Sequence, residues 1–251
     1  MTTITSIYVT VIGTIFGSFF NVVGYRIVNN ESIIFPRSHC PYCGQNIRTL
    51  DLIPIFSYLF LKGRCRNCHC KISPLSPIIE GLTGLMFLCA FLKFTNFHEL
   101  STSLLLISFV TITIVTDLST MLIPNKIIVS FFIIYSGYRI IFPMNPWWDP
   151  ILGCSLIFLL LALIAFLSNG GIGGGDVKLF AVAGILIGTK LVFIGLILAL
   201  FSGTVICTIA SMLKLIQRKQ PIPFAPFIAI GMIASLFWGD YLFGLYQKYI
   251  L

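Results

Sequence analysis

Charge is scarce in this sequence and negative charge is scarcest: eight Asp and Glu stand against sixteen Lys and Arg, and only 10% of the 251 residues are charged. A soluble domain of this length needs more polar surface than that. With 57% hydrophobic residues and a mean hydropathy of +1.00, the composition is that of a polytopic membrane protein. No run alternates apolar and polar residues as barrel strands do. The apolar runs must therefore satisfy their own backbone hydrogen bonds in lipid, which makes them helices. No stretch is left for a separate soluble catalytic domain. Residues 1–5 lack a basic cluster and no small-residue cleavage site follows the first apolar run, so that run is expected to be retained. The net charge of +8 is better explained by loops flanking membrane segments than by nucleic-acid binding.

Eight apolar segments are expected, at about 4–28, 77–94, 102–116, 127–142, 151–167, 179–187, 191–213 and 224–246. The segment 179–187 is far shorter than the roughly 20 residues a spanning helix needs. Its ends must extend into their neighbours, or it spans incompletely. The first segment carries Gly13, Gly17, Ser18 and Gly24, small residues that permit close helix approach, and Asn21, a candidate for hydrogen bonding between helices. Residues 29–76 form the one substantial polar and basic stretch. The expected architecture is all-α: a first transmembrane helix (1–28), a small domain (29–76) and a transmembrane block (77–251), with about eight transmembrane helices in total.

Alternation across these segments places Arg26, Arg37, Arg48, Lys62, Arg64, Arg66, Lys71, Lys126, Lys178, Lys214, Arg218 and Lys219 on one side, and Lys93, Arg139, Lys190 and Lys248 on the other. The positive-inside rule puts the first set, and with it residues 29–76, in the cytoplasm. Both termini then face outward, and Trp147 and Trp148 fall in an outer loop.

The acidic residues that remain are conspicuous. Asp176 follows five glycines in the stretch 169–178, Asn-Gly-Gly-Ile-Gly-Gly-Gly-Asp-Val-Lys. A carboxylate at the end of a membrane segment is costly and marks a functional site. Glycines accept backbone angles closed to other residues and admit a second chain closely, which makes Gly173, Gly174, Gly175 and Lys178 candidates for substrate contact. Asp117, after the third segment, lands on the same membrane side. Two carboxylates that share a partly dehydrated site cannot both ionise easily, so one holds a proton while the other takes one from water, the arrangement of aspartic proteases. The alternative for each is a helix cap. Glu80 opens the second segment, where a negative charge suits a helix N-terminus; it is also a candidate to receive a basic group of a substrate.

Five of the eight cysteines lie between Cys40 and Cys70. Cys40-x2-Cys43 and Cys65-x2-Cys68 form paired knuckles with the spacing of a four-cysteine zinc site, in a compartment that disfavours disulfides. Such a closed site holds a domain folded and does no chemistry. His39, His69 and Cys70 are neighbours that can substitute for a ligand but are read as bystanders. Cys89, Cys154 and Cys207 sit in apolar segments as packing residues.

These features, in order, resemble the type IV prepilin peptidases of bacteria. The resemblance runs through Gly17-Ser18-Phe19-Phe20-Asn21-Val22, Arg26, both knuckles, Ile53-Pro54-Ile55-Phe56-Ser57-Tyr58, Pro77 with Glu80, Asp117 with Ile123-Pro124-Asn125, Gly173 to Lys178, and Ile222-Pro223-Phe224-Ala225-Pro226-Phe227. It implies cytoplasmic-side cleavage of a short basic leader after a glycine, by Asp117 and Asp176, in prepilins of pilus, secretion or competence systems. It also implies methylation of the new N-terminus with S-adenosylmethionine as donor. The cysteine domain, Cys40, Cys43, Cys65 and Cys68, is associated with the methylating form. The sequence departs from the family where Leu52 stands for a common Asn, Ser76 for a common Tyr, and Cys70 is added. No Gly-rich fingerprint of soluble methyltransferases is present. A proton-coupled transporter using the same carboxylates is the alternative function, but internal repeats are lacking and the knuckles have no part in it.

Overall fold

The structure, a computed structural model, describes residues 2–168, 171–214 and 222–250. Asn169 and Gly170 of the glycine stretch, and Arg218 and Lys219 of the basic set, lie outside the described residues. The helices are α1 (Thr2–Val28), α2 (Phe56–Phe60), α3 (Leu75–Lys93), α4 (Phe97–Thr120), α5 (Asn125–Ile141), α6 (Asp149–Leu167), α7 (Gly174–Met212) and α8 (Ala225–Ile250). Among the described residues there are no strands, only two isolated bridges, His39 with Asn46 and Arg64 with Lys71. The all-helical expectation holds. Six helices, α1, α3, α4, α6, α7 and α8, are long and apolar enough to cross a membrane, and α5 has 17 residues. The count of eight does not carry over as eight separate helices, because the expected segments 179–187 and 191–213 share α7.

Helix α7 has 39 residues and is broken at Gly188, with φ 78° and ψ 175°. Its first part, Gly174–Ile187, is about 21 Å long at 1.5 Å per residue, short for a span. A break leaves carbonyls orphaned on one side and N–H groups on the other. Arg139 serves the first set: its Nε donates to the Leu186 carbonyl at 3.0 Å, and a second guanidinium nitrogen donates to the same oxygen. Asp149 serves the other, its Oδ2 accepting the Thr189 N–H at 3.2 Å. A cation at a helix C-terminus and an anion at an N-terminus both suit the helix dipole. Only glycine fits between them, since a Cβ on Gly188 would collide with Asp149 Oδ2 and lie 2.9 Å from Met144 Cε. Gly188→Ala is expected to cost about 3 kcal/mol, from left-handed strain and overpacking. Thermal unfolding of the purified protein in detergent measures this, and an unchanged midpoint would mean that the break tolerates a side chain.

The chain divides into two compact units, Met1–Leu100 and Ser101–Leu251. In the first, α1 and α3 cross through small residues: a Cβ on Gly13 would lie 2.8 Å from Gly84 Cα, and one on Gly17 would lie 2.9 Å from Glu80 Cα. Without a hydrophobic force between helices in lipid, such close approach is what holds a pair together. Asn21 does hydrogen-bond between helices, donating to Ser76 Oγ. Arg26, buried at the end of α1, donates to the carbonyls of Ser32, Ile33 and Pro36 at 2.9, 3.1 and 2.8 Å, organising the segment that leads into the knuckles.

In the second unit, α7 packs against α5, α6 and α8. It meets α6 backbone to backbone, where a Cβ on Gly184 would lie 2.7 Å from the Gly153 carbonyl oxygen. Helices α4 and α5 join through an aromatic cluster in which the Phe109 and Phe131 rings are 4.7 Å apart. Fully buried Tyr135 donates its hydroxyl to the Leu105 carbonyl at 3.0 Å. On the α5–α6 connection Trp147 and Trp148 pack edge to face, 5.8 Å between centroids.

Candidate active site and candidate metal centre

Asp117 lies in the last turn of α4 and Asp176 in the first turn of α7. Helix α4 ends when Met121 takes a left-handed conformation, φ 56°, with its N–H on the Asp117 carbonyl at 2.8 Å. Pro124 then precedes α5. This connection reaches the start of α7: a Cβ on Gly175 would meet Ile123 Cβ at 3.2 Å, and Lys178 Nζ donates to Asn125 Oδ1 at 2.9 Å. Ile123-Pro124-Asn125 is thus the tie that brings the two helix ends, and both aspartates, together.

Asp117 is 6% exposed, and its Oδ2 accepts the Ala225 N–H at 2.8 Å. The Phe224 N–H also points to this carboxylate. It therefore does cap a helix, but α8 and not its own. Sequence reasoning missed this partner, although a Pro at Pro226, one residue into a helix, signals an N-terminus whose first N–H groups seek acceptors. Asp176 is half-buried, at the third position of α7, with its N–H on the Gly173 carbonyl at 3.0 Å.

The glycines are used for proximity. Gly173 has φ −64° and ψ 132°, angles open to any residue. A Cβ on it would lie 3.1 Å from Asp176 Oδ2, while Gly174 is exposed with nothing within 4 Å of a Cβ. A side chain at Gly173 would therefore press on the Asp176 carboxylate.

In the first unit the knuckles repeat one hydrogen-bond pattern. Cys40 N–H donates to the Gln45 carbonyl at 3.0 Å and Cys65 N–H to the Cys70 carbonyl at 2.9 Å; Gly44 N–H returns to the Cys40 carbonyl at 2.9 Å and His69 N–H to that of Cys65 at 3.0 Å. Gly44 and His69 fill the same left-handed position, with φ 69° and 55°. His69 is thereby accounted for by its backbone, and Cys70 is the counterpart of Gln45.

The sulfurs of Cys40, Cys43, Cys65 and Cys68 lie within 4.8 Å of one another, and Cys40 and Cys68 Sγ are 3.7 Å apart. Tetrahedral zinc with Zn–S bonds of about 2.3 Å needs edges of about 3.8 Å, so this donor set fits a metal ion. The Cys43 and Tyr42 N–H groups pull the Cys40 thiol down to about 6. The Cys70 N–H likewise lowers Cys68. Against the Gln45 N–H, which favours its thiolate, desolvation and the neighbouring thiols push Cys43 up to about 11. Hydrogen bonding to Cys68 and desolvation push Cys70 up to about 12. So many sulfurs in one place do not all ionise without a compensating cation. Asp51 and Arg66 brace the second knuckle, Arg66 Nε and a terminal nitrogen donating at 2.9 and 2.6 Å. This pairing holds the Asp51 carboxyl below its usual range.

Glu80, in the second turn of α3, is 7% exposed and accepts the Ile55 N–H at 2.8 Å as well as the Ser18 hydroxyl. Its partners belong to the motif stretches 17–22 and 53–58.

Residues 11–94 match the family described as Bacterial Peptidase A24 N-terminal domain, and residues 104–208 match the Type IV leader peptidase family. A Bacillus subtilis (strain 168) protein named prepilin leader peptidase/N-methyltransferase is 39% identical over 241 residues, 96% of this chain and 97% of that protein. Proteins of the same name from Aeromonas salmonicida and Pectobacterium carotovorum are 32% and 31% identical, over 88% and 90% of this chain and 77% and 90% of theirs. No solved structure matches.

Proposed function

From the premise that the chain belongs to the type IV leader peptidase family, we propose that Asp117 and Asp176 are the catalytic pair of an aspartic endopeptidase that removes the leader of prepilins. The chain cleaves prepilin leaders and methylates the new N-terminus, as the names of its relatives have it. None of these relatives is named as a transporter. The observation that carries the site assignment is that the Ile123–Asn125 connection ties the end of α4, with Asp117, to the start of α7, with Asp176.

In the proposed mechanism one carboxyl is protonated and donates a hydrogen bond to the scissile carbonyl, while its ionised partner takes a proton from water. The hydroxide adds to the carbonyl carbon, the tetrahedral intermediate collapses, and the C–N bond breaks as the leaving nitrogen takes the proton that the carboxylate received from water. The pair titrates as a unit. Gly173 and Gly174 leave room for the substrate backbone, and Lys178, tied to Asn125, fixes the turn. The leader is short and basic and ends in glycine. The pair and the cysteine domain face the cytoplasm of a bacterial cell membrane, on the side favoured by the basic residues.

Cys40, Cys43, Cys65 and Cys68 bind a structural zinc ion. S-adenosylmethionine, when bound, would supply a methyl group to the new N-terminal amine. Membranes carrying the protein, incubated with a prepilin, are expected to release the leader at the glycine and to yield a mature N-terminus heavier by one methyl group, read by mass spectrometry. A substrate with that glycine replaced by a bulky residue should remain uncut. Failure to cut an intact prepilin would overturn the assignment.

A further inference from the structure

The first unit contains a partly open cavity of about 590 Å³ lined by residues of α1, the start of α3 and the knuckles. That volume falls in the range of small-molecule sites, about 300–1,000 Å³. Tyr25, Tyr42 and Tyr58 line it, offering ring faces to a planar heterocycle. Arg48 and Lys71 also line it, as does Asp51, whose charge is taken up by Arg66 at 2.6 Å.

Glu80 differs from Asp51. Among the described residues no Lys or Arg forms an ion pair with it, yet it is buried and lines the cavity. A buried carboxylate with no cation is costly. The structure nevertheless holds it firmly. Ile55, a β-branched residue, stands at φ 62°, ψ −52°, and the Phe56 N–H donates to the Pro54 carbonyl at 2.6 Å. This is a γ-turn of the rarer, strained hand, and it aims the Ile55 N–H at Glu80 Oε2. Backbone strain of this kind persists where its surroundings enforce it, characteristically at ligand sites.

We propose that this cavity is the S-adenosylmethionine site, with Tyr42 against the adenine and Glu80 as the carboxylate that favours the cationic donor over its neutral, demethylated product. The proposal rests on the methyl-transfer reading above. Aromatic faces suit the base and attract a sulfonium, Arg48 and Lys71 suit the carboxylate of the amino-acid arm, and Glu80 supplies a buried carboxyl that no Lys or Arg among the described residues pairs with. The donor carries one more positive charge than S-adenosylhomocysteine, so a charge-sensitive site distinguishes the two and releases the spent product.

The test is binding of S-adenosylmethionine and S-adenosylhomocysteine to the purified full chain by calorimetry, with zinc content and thermal midpoint as folding controls. Glu80→Gln keeps an acceptor for the Ile55 N–H and removes the charge; it should weaken S-adenosylmethionine about tenfold and S-adenosylhomocysteine less than about threefold. Tyr42→Ala, at an exposed ring, should weaken both about tenfold. Wild-type affinity for both ligands in both variants, or equal losses of the two ligands in Glu80→Gln, would overturn the proposal while leaving methyl transfer intact. A wild-type protein that cleaves prepilin but neither methylates it nor binds either ligand would overturn the methyl-transfer reading itself.

Discussion

Asp117→Asn and Asp176→Asn are each expected to lower prepilin cleavage by about a thousandfold, the scale of general acid–base catalysis. The double variant should be scarcely worse than either single one, because two groups that act as a unit do not contribute independently. The choice of Asn matters at Asp117. Its Oδ2 accepts the Ala225 N–H at 2.8 Å, and Asn offers an oxygen to the same donor, so α8 keeps its cap while the site loses an ionisable group. Asp117→Ala removes both, and should cost about 1 kcal/mol of stability in addition to the activity. Comparison of thermal midpoints separates the two roles. Substantial cleavage by Asp117→Asn at a normal midpoint would reduce Asp117 to a cap and sink the pair mechanism.

Loss of the metal should have the larger effect on folding. A structural zinc held by thiolates contributes on the order of 10 kcal/mol to the domain that binds it, and residues 29–74 have little else: two short helical turns, and the exposed apolar side chains Ile34, Phe35 and Phe60. Cys40→Ser or Cys43→Ser should abolish zinc, measured by elemental analysis, and disorder the knuckles. Cys70→Ser should keep one zinc per chain, since Cys70 matches Gln45 of the first knuckle and stands outside the set of four. Because Cys70 Sγ lies 3.1 Å from Cys68 Sγ and 3.6 Å from Cys40 Sγ, Cys68→Ser and Cys40→Ser are best examined together with Cys70→Ser. Methylation should fail before cleavage does, given that the donor cavity shares walls with the knuckles. Full zinc content in Cys43→Ser would rule out the four-cysteine centre.

Much of this was legible in the residues. Apolar run lengths gave the helices, and lysine and arginine placement assigns Asp117 and Asp176 to one side. The spacing of Cys40, Cys43, Cys65 and Cys68 announced the cluster of four sulfurs that can hold a metal ion. What escaped was what depends on tertiary neighbours. Residues 179–187 looked too short to span because hydropathy does not reveal that a helix resumes beyond a break. Gly188 needs Arg139 and Asp149 from other helices to satisfy that break, and nothing in their local sequence announces the task. The glycines before Asp176 suggested unusual backbone angles; the folded chain uses Gly173 and Gly175 for closeness to Asp176 and Ile123. Ile55 gave no local sign of left-handed geometry, because β-branched residues avoid it and only the contact with Glu80 explains it.

The three tryptophans of the chain are Trp147, Trp148 and Trp238, so all lie in the unit Ser101–Leu251 and none in Met1–Leu100. The edge-to-face pair on the α5–α6 connection is therefore a built-in optical reporter for the half of the protein that carries both aspartates, blind to the half that carries the four-cysteine knuckles. Excitation near 295 nm follows melting of the peptidase half alone, while chelator titrations seen only by tyrosine emission or circular dichroism follow the other.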